Sequence, residues 1–344
     1  MNPLSKQAIK SQITGALISG ALTALFMYVL FFREYRSIVT GACIGIFVYF
    51  GISFYSNKIE KRFLRKTNLF IVLVINSLVQ ILIILVTAWV FVGIFYVGGD
   101  FNKMFRNFSN LLSNYFFIGI VFGLVLSIFF NFYSIVTTLI GKNILGKLFL
   151  GMYRNPIETD RVFMFLDIAS STSIAEKTGH LKFLSLVNDF FTDIAEPIRQ
   201  TKGEIYKYVG DEVIVTWKTK DAIQNANCIR CFLLIDELML KRSEYYLNKY
   251  NIVPGYKAGM HGGLAITGEL GYTKREIAYM GDVLNTTARI EESCKTFGKR
   301  FLISDEIMQQ LELPTRITAE EVGMVKLRGK TNEMRLFSIE QTGQ

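Results

Sequence analysis

Four apolar stretches crowd the first 140 residues, roughly 12–32, 37–56, 68–97 and 113–140, and each is long enough for a helix to cross about 30 Å of hydrocarbon. A chain with such runs has few folding options. In lipid every backbone polar group must be satisfied within its own segment, so the runs read as a helical bundle of four transmembrane spans. None is followed by the small-residue cleavage site of a signal peptide. The mean hydropathy of +0.31 over 344 residues comes from these runs, since the remaining residues alternate apolar and charged positions as a soluble domain does.

The charge divides in the same place. Residues 1–155 hold 14 Lys and Arg against 3 Asp and Glu, whereas residues 156–344 hold 24 against 26, so the formal net charge of +9 is +11 in the first part and −2 in the second. The soluble part therefore lacks the basic face that a polyanion requires, and nucleic acid is not an expected partner. The 57–67 loop, NKIEKRFLRKT, carries five Lys and Arg, while the 33–36 and 98–112 loops carry two each. The positive-inside rule then puts that loop and both termini on the cytoplasmic side of an inner membrane. Asn76, Gln80 and Asn131 are polar within the spans, and interhelical hydrogen bonds explain them more simply than a transport path does. Whether this bundle is a passive anchor or senses a lipid, a small molecule or a protein is open in the sequence.

Of four cysteines, Cys43 lies in an apolar stretch and only Cys228, Cys231 and Cys294 lie in the soluble part, too few, with no second pair, for a disulfide framework or a four-cysteine zinc site. Cys228 and Cys231 form a CxxC that falls in mid-helix by pattern, where packing is the expected role.

Past residue 140 the pattern predicts a helical coupler over 141–157, then an α+β domain over 158–344. Its expected order is a strand at 161–167, helices through 172–201, a hairpin at 203–217, a helix at 220–249, strands near 255–268 and 275–280, and a helix at 283–296. Helices mixed with hairpin-joined strands imply an antiparallel-rich central sheet with flanking helices.

Two carboxylates stand where that order makes them chemically interesting. Asp167 ends an apolar strand just before Ala169-Ser170-Ser171-Thr172 opens a helix; such a junction sets a carboxylate beside free backbone N–H groups and suits a metal-bound triphosphate, although Asp and Ser also cap helices there. Asp211 follows Gly210 at the tip of the hairpin, and pairing the hairpin beside the first strand would bring it to Asp167. Two adjacent carboxylates repel unless a cation lies between them, which points to Mg²⁺ or Mn²⁺ with nucleotide phosphates. Asn285 and Arg289, four apart, share one helix face.

Phe165-Leu166-Asp167, Lys207-Tyr-Val-Gly-Asp211, Gly259-Met-His-Gly-Gly263, Tyr279-Met-Gly-Asp282-Val-Leu-Asn285-Thr-Thr-Ala-Arg289 and Leu327-Arg-Gly-Lys330 together resemble, in order, the motifs of the class III adenylate and guanylate cyclase catalytic domain. The resemblance covers about 158–340. It implies a cyclase acting on ATP to give 3′,5′-cyclic AMP and pyrophosphate. Two divalent cations would be held by Asp167, Asp211 and the carbonyl of Ile168. Asn285 would orient the ribose and Arg289 would stabilise the transferring phosphorus. Lys207 would read the base, with Ala278 beside it, and Ser170, Ser171, Thr172, Arg328 and Lys330 would meet the phosphates. It also implies a homodimer, because in this family the metal carboxylates come from one chain and the Lys and Asn/Arg groups from the other.

Lys207 favours adenine on chemical grounds, since an ammonium only donates and adenine N1 accepts whereas guanine N1 is protonated. Two positions depart from the pattern. Ala278 stands where Asp or Thr would accept from the adenine amino group, and Leu264 stands where some members carry Arg. A guanylate cyclase and a catalytically silent nucleotide-binding membrane receptor are the alternative readings.

Overall fold

The computed structural model describes residues 3–30, 34–55, 69–98, parts of 121–136, 151–273, 275–313, 317–326 and 333–341. The chain divides into two compact units, Met1–Leu150 and Gly151–Gln344.

Unit one contains α1 (Pro3–Leu30), α2 (Tyr35–Tyr55) and α3 (Leu69–Val97), with helical residues within 121–136. Of the four expected spans, two are helices long and apolar enough to cross a membrane, Tyr35–Tyr55 and Val74–Phe95. The first stretch lies in the long helix α1, whose apolar part, Ile13–Val29, follows Lys6 and Lys10. The fourth stretch, the basic 57–67 loop and residues 141–150 of the expected coupler lie largely or wholly outside the described residues. The polar residues pair as expected across helices: Tyr55 donates to Asn76 at 3.0 Å, and the side-chain amides of Gln80 and Asn131 bond each other. Ser19 on α1 donates to the Gly45 carbonyl of α2 at 2.9 Å, a close approach that small residues allow.

Unit two is built on an eight-stranded sheet. Its strands are β1 (Ile157–Ile168), β2 (Glu204–Val209), β3 (Glu212–Lys218), β4 (Tyr256–Leu270), β5 (Glu276–Met280), β6 (Phe301–Ser304), β7 (Ile317–Val325) and β8 (Met334–Gln341). They run in the order β2-β3-β1-β4-β6-β8-β7, with β5 on β4; all pairs are antiparallel except β4 with β6. The helices are α4 (Ser171–Thr178), α5 (His180–Gln200), the short α6 (Thr219–Ile223), α7 (Asn227–Tyr250), α8 (Asp282–Phe297) and α9 (Asp305–Met308).

β1 is apolar at every position from Val162 to Leu166 because both sheet faces are covered. Val162, Met164, Leu166 and Ile168 face a core shared with α5 and α7, while Phe163 and Phe165 face Ala265 and Val283 beneath α8. The strand begins at Ile157, four residues before the expected start, and residues 151–155 form turns rather than the end of a helical coupler. The single helix expected at 220–249 is broken, with Asn225 and Ala226 at φ 54° and 48°. Cys228 and Cys231 are fully buried on α7, and burial pushes both thiols up to about 12. They are packing residues, inert toward redox chemistry at neutral pH.

Candidate active site

Strand register brings the two aspartates together. β1 pairs with β3 so that Asp167 lies opposite Glu212, and Asp211 occupies the preceding turn, where Gly210 takes a φ of 63° that a side chain would resist. The residues that the sequence separates by more than forty positions thus share one end of the sheet. Asp211 Oδ2 is buried and has no hydrogen-bond partner among the described residues. The Asp167 carboxyl is pushed up to about 6, by burial first, then by the charges of Asp211 and Glu291 and a hydrogen bond with Asp211, with Lys257 opposing.

Three further groups, which the sequence alone did not single out, complete this cluster. Glu212 is pushed up to about 7 by burial and by Glu291, Asp167 and Asp211. Lys257, opposite Asp167 on β4, lies 2.7 Å from Glu291 and 3.7 Å from Asp167. Four carboxylates therefore gather around one ammonium, leaving an excess of negative charge. An orphaned buried carboxylate oxygen within such an excess fits a divalent cation. Among the described residues no three His, Cys, Asp or Glu side chains are grouped as a metal cage, so substrate and backbone oxygens would have to supply the remaining ligands of any bound ion.

The helix that opens beside Asp167 begins as expected. Ser170 adopts φ 58° without capping through its side chain, and α4 starts at Ser171. Ala169 donates its N–H to the Gly255 carbonyl at 2.8 Å, so it is not available to a ligand. The N–H groups of the first helical turn, Ser171 and Thr172 among them, have no helical acceptor. Ile168 is buried opposite Tyr256. Arg328 and Lys330 lie outside the described residues.

α8 crosses the sheet face that bears Asp167, and Gly259 of β4 permits it. A Cβ on Gly259 would lie 2.3 Å from the Glu291 backbone nitrogen, and one on Gly262 would lie 2.2 Å from Ile307 on the other face. The contact aims Glu291 at Lys257 and Asp167. A helix turns about 100° per residue, so Arg289, two residues earlier, and Asn285, six earlier, point most of half a turn away from the carboxylate cluster. Asn285 is exposed and Arg289 half-exposed. Neither side chain has a hydrogen-bond or ion-pair partner among the described residues. Within one chain the aspartates and the Asn/Arg pair are thus held by the same helix-on-sheet contact but do not face one another.

Lys207, on β2, is exposed and lies 3.3 Å from Glu276 on β5. Ala278 is buried opposite Gly268, and Leu264 is exposed.

Residues 156–341 match the model of the adenylate and guanylate cyclase catalytic domain. Adenylate cyclase 2 of Rhizobium meliloti (strain 1021) is 35% identical over 204 residues, which are 59% of this chain and 56% of that protein. An adenylate cyclase of Anabaena cylindrica is 25% identical over 183 residues, 51% of this chain and 36% of that protein. The chain thus matches little more than half of the one relative and about a third of the other. A solved bacterial light-regulated adenylyl cyclase superposes with a TM-score of 0.55 at 17% identity, over 65% of this chain and 66% of that one, a likeness of fold.

Proposed function

The chain belongs to the adenylate and guanylate cyclase catalytic-domain family, and from that premise we propose that it is an adenylate cyclase whose site is shared between two copies of the chain. The observation that carries the proposal is the orientation of α8. It holds Glu291 toward Asp167 while Asn285 and Arg289, without partners among the described residues, face elsewhere. Two-fold pairing would let the Asn/Arg face of one copy complete the aspartate end of the other, giving two equivalent sites.

In this reading Asp167 and Asp211, with the Ile168 carbonyl, would hold two divalent cations, Mg²⁺ or Mn²⁺. Such ions, when bound, neutralise phosphate charge and make the ribose 3′-hydroxyl more acidic. Asn285 holds the ribose so that its 3′-oxygen lies in line with the α-phosphorus. The 3′-hydroxyl releases its proton to water as the new P–O bond forms there, the bond to the β-phosphate oxygen breaks, and pyrophosphate leaves. Arg289 stabilises the charge that develops on the phosphoryl oxygens. Ser170, Ser171 and Thr172, with Arg328 and Lys330, would grip the phosphates. Lys207 donates to adenine N1, which favours ATP, and the adenylate cyclases among the relatives support the same choice.

The test is cyclic-nucleotide formation by purified full-length protein from ATP and from GTP, each with Mg²⁺ and Mn²⁺. Faster turnover of ATP is expected. Preference for GTP would make it a guanylate cyclase, and no product from either would leave a nucleotide-binding receptor.

The proposed layout is a membrane domain over 1–140, a coupler over 141–157 and the catalytic domain over 158–344. Two helices long and apolar enough to span support it, and one of them, α3, leaves Leu78 62% and Leu82 60% exposed, as a soluble core helix would not. The charge pattern supports four spans with both termini cytoplasmic. A reporter fused after residue 61 or at the C-terminus should then read cytoplasmic and one near Asn102 external; the reverse would refute the orientation.

A further inference from the structure

The ammonium assigned to the base has a neighbour to which no role has been given. Lys207 Nζ and Glu276 Oε1 lie 3.3 Å apart, with 47% and 43% of their side chains exposed. An ion pair in that setting contributes at most about 1 kcal/mol, so the fold has little need of it. Yet the two strands that carry it are tied together beside it. The backbone N–H of Tyr279 donates to Tyr206 Oη at 3.1 Å, and the two rings meet edge-on with centroids 4.9 Å apart.

β5 side chains alternate, so Glu276 shares a strand face with Ala278, about 7 Å further along. Ala278 is the position at which an acceptor for the adenine amino group is missing, and its methyl group is buried. The Glu276 side chain extends two carbons further from the strand than an alanine methyl group, and its carboxylate already meets Lys207.

We infer that Glu276 reads the base jointly with Lys207, its carboxylate accepting from the 6-amino group of adenine while the ammonium donates to N1. The inference rests on the adenylate cyclase reading and names its specificity-determining acceptor. Adenine presents a donor at C6 and an acceptor at N1, whereas guanine presents an acceptor at O6 and a donor at N1. With Lys at N1 and Glu at the 6-position both contacts suit adenine. Against guanine both are mismatched, since the ammonium meets N1–H and the carboxylate meets O6. In the nucleotide-free protein the two groups satisfy each other; the base edge inserts between them.

Full-length protein should be assayed for kcat/KM with ATP and GTP as wild type, Glu276→Ala, Glu276→Gln and the double variant Lys207→Glu with Glu276→Lys, melting curves confirming the fold. Glu276→Ala is expected to lower kcat/KM for ATP about tenfold and GTP less, so that selectivity falls. Glu276→Gln keeps the size and an acceptor oxygen and should retain most of the selectivity. The double variant preserves the ion pair but inverts donor and acceptor, and should lose ATP turnover while moving selectivity toward GTP. Unchanged selectivity in Glu276→Ala, a Gln variant as impaired as Ala, or wild-type ATP turnover in the charge-swapped protein would each overturn the inference. Absence of any cyclic product from the wild type is a different outcome, which removes the cyclase reading itself.

Discussion

Asp167 and Asp211 are held together at a cost that only a cation, or loss of one charge, relieves. The fold buries Asp211 Oδ2 without a partner and forces the Asp167 carboxyl up to about 6, chiefly through burial and Asp211. Replacing either by Asn removes the repulsion along with the site. Asp167→Asn and Asp211→Asn should each reduce cyclase turnover at least about 100-fold, with melting temperatures equal to or above that of the wild type in the absence of divalent ions. Mg²⁺ or Mn²⁺ should raise the melting temperature of the wild type and not of either variant. Turnover near wild type in a folded variant would remove the pair from the mechanism. Both aspartates were legible in the sequence because Asp167 ends an apolar strand and Asp211 follows Gly210 at a hairpin tip, and both are local signals. Glu212, Lys257 and Glu291 were not. They join the cluster only through the pairing of Asp167 with Lys257 and the crossing of α8 over Gly259, and no short-range pattern encodes either.

At the scale of elements, the hairpin of β2 and β3 and the bounds of α8 followed from turn residues and periodicity. The break between α6 and α7 did not, since the positive φ values fall on Asn225 and Ala226 and Ala carries no turn signal. β1 starts early because Glu158, Thr159 and Asp160, which break the apolar pattern, still pair with Leu264 to Ile266 of β4. The packing of α5 on α7 gives a separate prediction. Burial alone would raise the Asp189 carboxyl, but hydrogen bonds from Lys249, Tyr245 and Tyr250 outweigh it and hold it below the usual range. A depressed carboxylate stabilises the fold fully above its unfolded pKa of about 3.9 and loses that contribution as pH falls through its folded value. Asp189→Asn should therefore destabilise the protein by on the order of 1 kcal/mol at pH 7, after allowance for partial exposure. The difference from wild type should shrink below about pH 4. A difference independent of pH would show that the carboxylate charge is not what joins the two helices.

At the scale of the whole molecule, the change from a basic, apolar part to a near-neutral part of mixed composition was legible in the sequence, and the two compact units divide nearby, at Leu150 and Gly151. The number of spans was less so. Among the described residues length and hydropathy single out two helices, and most of the fourth stretch lies outside them. A membrane anchor would hold two catalytic domains at high local concentration, which suits the shared site proposed above. The direct test of that shared site is complementation. A chain carrying Asp211→Ala and a chain carrying Arg289→Ala should each be inactive alone. In a heterodimer one site collects both lesions and the other collects neither, so co-expression in one membrane with random pairing should restore about a quarter of wild-type cyclic AMP formation. Recovery no greater than the sum of the two separate variants, in preparations shown to contain heterodimers, would mean that each chain builds a complete site and would contradict the account.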